Sequence, residues 1–225
     1  MKEIDVALTD YGLTILCCVI AFILIRNHSY DRVLSTWFSV LFLSVGLASG
    51  IGGTVHGFVH EDTLLHSIFW RGTIVCIGVS ALSAWMIGAK ITLNGWGQRV
   101  IHTLAIVNFT MYLAYVLFFN QDFDVAVANY LPSAIFLLFV FVNVYKQTLH
   151  RLAFFTLAGL ILPFGAAGIQ QLEIGVHARY FSHNALYHVV QAVGLYLIFR
   201  GATFFCEIQD RACRELGLTE RAHKH

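Results

Sequence analysis

Residues 182–205 read SHNALYHVVQAVGLYLIFRGATFF, a long apolar run that opens on two histidines and an asparagine. The hydrocarbon core of a bilayer is about 30 Å thick, and a helix rising 1.5 Å per residue needs roughly 20 apolar residues to cross it. The run meets that requirement, with Arg200 its only formal charge, so it predicts a membrane-spanning helix.

The same ruler, moved along the chain, marks further segments at 8–26, 35–57, 64–88, 98–119, 124–146 and 150–170. The connections between them are short: RNHSYDR, VHEDT, ITLNGWG, NQDFD and KQT, then a longer LEIGVHARYF before the last helix. Pro132 and Pro163 fall inside spans, where neighbouring helices can satisfy the freed carbonyls. Composition agrees: 58% of the 225 residues are hydrophobic and only 12% charged, against about 25% charged in soluble domains. With 14 Lys+Arg against 13 Asp+Glu, the net charge of +1 argues against a nucleic-acid partner. The predicted fold is therefore all-α: one domain over 1–225, a bundle of about seven transmembrane helices ending in a polar tail at 206–225.

The five cysteines, Cys17, Cys18, Cys76, Cys206 and Cys213, form no CxxC pair and read as small apolar residues or reduced thiols. The N-terminal MKEIDVALTD lacks the basic region and cleavage site of a signal peptide, so the first segment is expected to stay as an anchor. Lys and Arg concentrate on alternate loops: Arg26 and Arg32, then Lys90 and Arg99, then Lys146 and Arg151, then Arg200 and the tail. The other loops hold Lys2 and Arg179 among several acids. The positive-inside rule then predicts an outside N-terminus and a cytoplasmic C-terminus. Short loops and this orientation fit a bacterial inner membrane.

Within the second span, Gly46 and Gly50, then Ser49, Gly53 and Gly57, form small-xxx-small ladders. Such ladders let a neighbouring helix approach closely, or let backbone come near a ligand.

Polar groups inside a span are costly and mark function by default. The predicted topology sends Asp10, His56, His60, His66, Arg71, His183, Asn184, His188 and Gln191 to the outer half of the bundle. His28, His102 and His150 fall at the basic end and read as interfacial. Asn184 and His188 share a helical face, whereas His183 and His188 lie about 140° apart at 100° per residue. Neutral imidazoles suit zinc, and a catalytic site commonly has three protein ligands plus water. One reading is thus a zinc site on His56, His188 and a third ligand from His183, His66, His60 or Asp62; the other is interhelical hydrogen bonding. Arg71 either pairs with Asp10, Glu61 or Asp62, snorkels, or holds an anionic headgroup.

Helix seven reads NALYHVVQAVGLYL over 184–197, and helix two ends in GTVHG. These resemble the alkaline ceramidase superfamily, which includes the progestin and adiponectin receptor-like proteins. His188, Gly194, Tyr196 and Leu197 fall on that family's helix-seven motif, and His56 on its helix-two zinc histidine. Asn184 stands where the family's HxxxH motif has its first histidine, and Gly52 where it has a serine. The resemblance implies seven spans and a zinc-dependent hydrolase of lipid amide or ester bonds. It implies His56 and His188 as ligands, with His183, one position early, as a displaced third, then Asp62, Glu61 or His66 as proton carrier, and a membrane lipid as substrate. The alternatives are a non-catalytic lipid-binding relative or complex subunit, with partners on the small-residue faces, and a haem protein ligated by His56 and His188.

Overall fold

A computed structural model of the chain describes residues 3–27, 29–60, 63–172, 177 and 181–215, with the side chains of 169–171 and 212–215 excepted. Seven helices carry nearly all of these residues: α1 (Ile4–Arg26), α2 (Arg32–Phe58), α3 (Leu64–Thr92), α4 (Gly95–Phe118), α5 (Phe123–Thr148), α6 (Arg151–Gln171) and α7 (His183–Glu215). All seven are long and apolar enough to cross a membrane. No strand occurs among the described residues, only an isolated bridge between His177 and Phe181. The chain is an all-helical bundle compatible with an integral membrane protein.

Two helices start on a side chain that accepts from an open amide of the first turn. Asp31 caps α2 by accepting from the Leu34 amide at 2.7 Å. Thr63 caps α3 by accepting from the His66 amide at 3.2 Å. Pro132 and Pro163 lie inside α5 and α6.

Consecutive helices pack as neighbours, with one exception. α1 lies against α2 and α7, α2 against α3, and α6 against both α5 and α7. α3 packs against α5 as well as α4, which leaves α4 on the rim. The core joins Phe38 and Phe42 of α2 to Phe141 of α5 and Phe205 of α7.

Two helix pairs approach backbone to backbone. A Cβ on Gly46 would meet the Cβ of Cys17 at 2.8 Å, one on Gly53 that of Asp10 at 2.7 Å, and one on Gly57 that of Ala7 at 2.9 Å. Gly50 faces Thr14 in the same row. The ladder is therefore a single row, Gly46–Gly50–Gly53–Gly57, running antiparallel to Ala7–Asp10–Thr14–Cys17. This replaces the two ladders expected from spacing: Ser49 lies outside the row that faces α1. At the α6–α7 crossing a Cβ on Gly194 would stand 2.7 Å from the Gly159 carbonyl oxygen.

The last helix corrects another expectation. α7 continues past 205 as far as Glu215. Phe205 and Cys206 belong to the core cluster, and the Cys206 carbonyl accepts from the Asp31 amide at 3.0 Å. Apolar packing against the α1–α2 turn holds this end of α7 helical. His102 Nε2 is buried and has no hydrogen-bond partner among the described residues.

Candidate functional site

Asp10 lies on the buried face of α1, in line with Val6, Leu13 and Cys17. A carboxylate in an apolar stripe must find a partner or lose its charge. Its partner is His188 of α7, whose Nε2 stands 3.5 Å from Asp10 Oδ1, with side chains 15% and 5% exposed for His188 and Asp10. Both residues lie roughly 7–10 Å into their helices, at 1.5 Å per residue, on the end of the bundle where α1 and α7 begin.

Thr9 touches the other ring nitrogen of the histidine. Its hydroxyl lies 3.1 Å from the Asp5 carbonyl and 2.9 Å from that of Val6. Its oxygen also lies 3.2 Å from His188 Nδ1. Where the hydroxyl donates to backbone, Thr9 accepts from Nδ1–H and the Nε2 lone pair faces Asp10, an arrangement that takes a proton or a metal ion between the two. Where the hydroxyl donates to Nδ1, Nε2–H donates to Asp10.

His56 is the second histidine here, 38% exposed at the end of α2, with its Nδ1 3.2 Å from Glu3 Oε2. It lies within electrostatic range of His188. The Glu3 amide donates to the His56 carbonyl at 3.3 Å, and the Ser182 amide to Asp5 Oδ2 at 2.8 Å. These bonds draw the starts of α1 and α7 and the end of α2 together. Gly52 leaves room beside the carboxylate, since a Cβ there would meet Asp10 Oδ2 at 3.8 Å.

The other sequence candidates stand apart. His66 stacks on Trp70 at 6.4 Å. His60 and Arg71 are exposed, and His183 and Gln191 half-buried. Among the described residues no hydrogen bond or ion pair joins His60, His66, Arg71, His183 or Gln191 to Asp10 or His188. Arg71 therefore does not pair with Asp10, which is taken by His188. Asp62 and Glu61 lie outside the described residues. Asn184, half-buried, lies one turn before His188 on α7.

The zinc fit is divided. The separation of 3.5 Å exceeds that of a strong charge-assisted hydrogen bond, about 2.7–2.9 Å. It matches the edge of a tetrahedron whose centre lies about 2.0–2.2 Å from N and O ligands, roughly 3.3–3.5 Å. The Nδ1 contacts to Thr9 and Glu3 are the kind that orient metal-binding imidazoles. Yet no three His, Cys, Asp or Glu side chains among the described residues are grouped closely enough to hold one ion. The trio His56, His183 and His188 is not assembled; His183 starts α7 on a different face from His188, as a regular helix requires.

Sequence reasoning missed Thr9 and Glu3. The signal for Asp10 was present in its place among Val6, Leu13 and Cys17. No comparable signal marks Thr9, because threonine commonly bonds its own helix.

Residues 6–206 match the family described as "Family of unknown function (DUF6962)". The chain belongs to that family. The match runs from the start of α1 into α7 and so takes in Thr9, Asp10, His56 and His188 together. No curated protein and no solved structure matches the chain.

Proposed function

We propose that this protein is an intramembrane metal-dependent hydrolase of lipid amide or ester bonds, similar in kind to the alkaline ceramidases. The observation that carries this reading is the buried Asp10–His188 pair, a carboxylate oxygen and an imidazole nitrogen 3.5 Å apart. In this reading His188 Nε2 and Asp10 would hold zinc. His56, whose Nδ1 contacts Glu3, is not grouped closely enough with this pair to serve as a third ligand. When bound, such an ion supplies Lewis acidity toward water and toward a lipid carbonyl.

The chain's own groups do the rest. In this reading Thr9 accepts the Nδ1 proton and so sets which nitrogen faces the site. The exposed His56–Glu3 pair stands at the mouth, where an imidazole can relay protons to solvent. The pair lies less than two turns from the helix ends, a depth reached by an acyl linkage just below a lipid headgroup.

The orientation belongs to the same proposal: the N-terminus and this site face outside, and the basic end faces the cytoplasm of a bacterial inner membrane.

The test is metal analysis of the purified protein, together with hydrolysis of acyl-amide and acyl-ester lipids. About one divalent ion per chain is expected, lost in His188→Ala and in Asp10→Asn, with turnover lost alongside it. A wild-type protein with neither metal nor turnover would sink the reading. It would leave a non-catalytic lipid-binding or subunit role, which Asn184 at the position of the family's first motif histidine favours. A Soret band would instead establish haem.

A further inference from the structure

At the end of the bundle opposite the Asp10–His188 pair, the α5–α6 turn and α7 enclose a cleft of about 480 Å³. Small-molecule sites fall in the range of roughly 300–1,000 Å³. Its wall includes Thr148, Leu149, His150, Arg151, Phe155 and Arg200.

The polar side chains of this wall are almost all donors. Arg151 and Arg200 enter no ion pair among the described residues, and Arg200 has only a long contact, 3.5 Å, to the Tyr196 hydroxyl. His150 is held rigidly, its ring flat on Phe204 with centroids 3.9 Å apart. Its Nδ1 accepts from the Leu152 amide at 3.2 Å. An accepting Nδ1 carries no proton, so the neutral ring keeps its proton on Nε2 and offers it as a donor. The Thr148 hydroxyl donates to the Val144 carbonyl at 2.9 Å. Among the described residues no carboxylate lines the cleft.

Two guanidinium groups and an imidazole N–H around an acid-free cavity match a phosphate, which arginine binds through paired N–H groups. The surroundings narrow the source. Leu149 is 74% exposed and Phe154 48% exposed beside the cleft, on a bundle whose outer surface is apolar. A ligand with a phosphate and hydrocarbon chains satisfies both features. We infer that the cleft between the α5–α6 turn and α7 binds the phosphate of an anionic lipid headgroup through Arg151, Arg200 and His150.

The test is thermal unfolding of the full chain in detergent with short-chain phosphatidylglycerol, phosphatidylcholine or inorganic phosphate added. Phosphatidylglycerol is expected to raise the unfolding midpoint by several degrees and phosphatidylcholine to do much less. The double variant Arg151→Gln/Arg200→Gln should lose roughly half or more of that shift, as expected when charge-assisted contacts go. Both arginines are exposed, so the variant should fold. Arg99→Gln, an exposed arginine outside the cleft, should keep the shift. Equal shifts from the two lipids, or an unchanged shift in the double variant, would overturn the site. An equal loss in Arg99→Gln would reduce it to general surface charge, and an equal response to inorganic phosphate would rule out the lipid as ligand. None of these readouts depends on metal content or hydrolysis.

Discussion

Asp10 and His188 each make sense only through the other. A buried carboxylate without its partner is an uncompensated charge, and breaking such a pair costs about 3–5 kcal/mol. The two single variants, Asp10→Asn and His188→Ala, should both lower the heating midpoint of the monomer on size exclusion. The double variant should lose less than the sum of the singles, with a coupling of roughly 0.5–3 kcal/mol. Strict additivity would mean that the two side chains do not share a cation. Thr9→Val should act differently: shape is preserved, but the hydroxyl beside Nδ1 is gone. The ring then loses the hydrogen bond that orients it, and losing such a partner of a metal-binding imidazole typically costs about 10–100-fold in metal affinity or activity. A metal affinity equal to wild type would remove Thr9 from the site. At this scale the sequence was half legible. Asp10 and His188 could be singled out because charge and imidazole are anomalous in apolar spans. Their pairing could not be read, since nothing in one helix's periodicity says which face of α7 meets which face of α1.

Helix contacts show the same division. The glycines of α2 announced a close approach, but not that α1 would fill it, nor that the row would step 46, 50, 53, 57. That row is set by the antiparallel fit of α1, with Ala7, Asp10, Thr14 and Cys17 opposite. Because Gly53 lies against the Cβ of Asp10, α1–α2 packing and the site form one structure. Gly53→Ala should force the helices apart, cost about 1–3 kcal/mol as overpacking does, and reduce metal content. Gly12, around which a Cβ would meet nothing within 4 Å, is the control. Gly12→Ala should be neutral, or stabilising by up to about 1 kcal/mol through helix propensity. Comparable losses in both variants would show that the α1–α2 row does not bear on the site. The close contact of Gly159 and Gly194 across α6 and α7 had no such announcement, since each glycine is isolated in its own span.

Across the whole molecule, the seven spans were legible because the bilayer imposes a length on each helix. The rim position of α4 was not, because an apolar helix facing lipid and one facing protein have similar composition. Polar ties nonetheless separate the two ends of the bundle. At one end Glu3 meets His56, Asp5 meets the Ser182 amide, and the Trp70 Nε1–H donates to the Gln121 carbonyl. At the other end Lys90 stands 3.9 Å from Asp31, whose amide reaches the Cys206 carbonyl. The turn containing Ser29 therefore belongs to the basic end, and the turn containing Gln121 to the end with the Asp10–His188 pair. If the basic end is cytoplasmic, Gln121→Cys should react with a membrane-impermeant maleimide on intact cells, and Ser29→Cys only after the membrane is opened. Labelling should be scored against a variant lacking Cys18, the native thiol exposed on the surface of α1. The reverse pattern would invert the bundle: it would put the Asp10–His188 pair in the inner leaflet and the Arg151–Arg200 cleft in the outer. Both sites would then have to draw their lipids from the opposite leaflets.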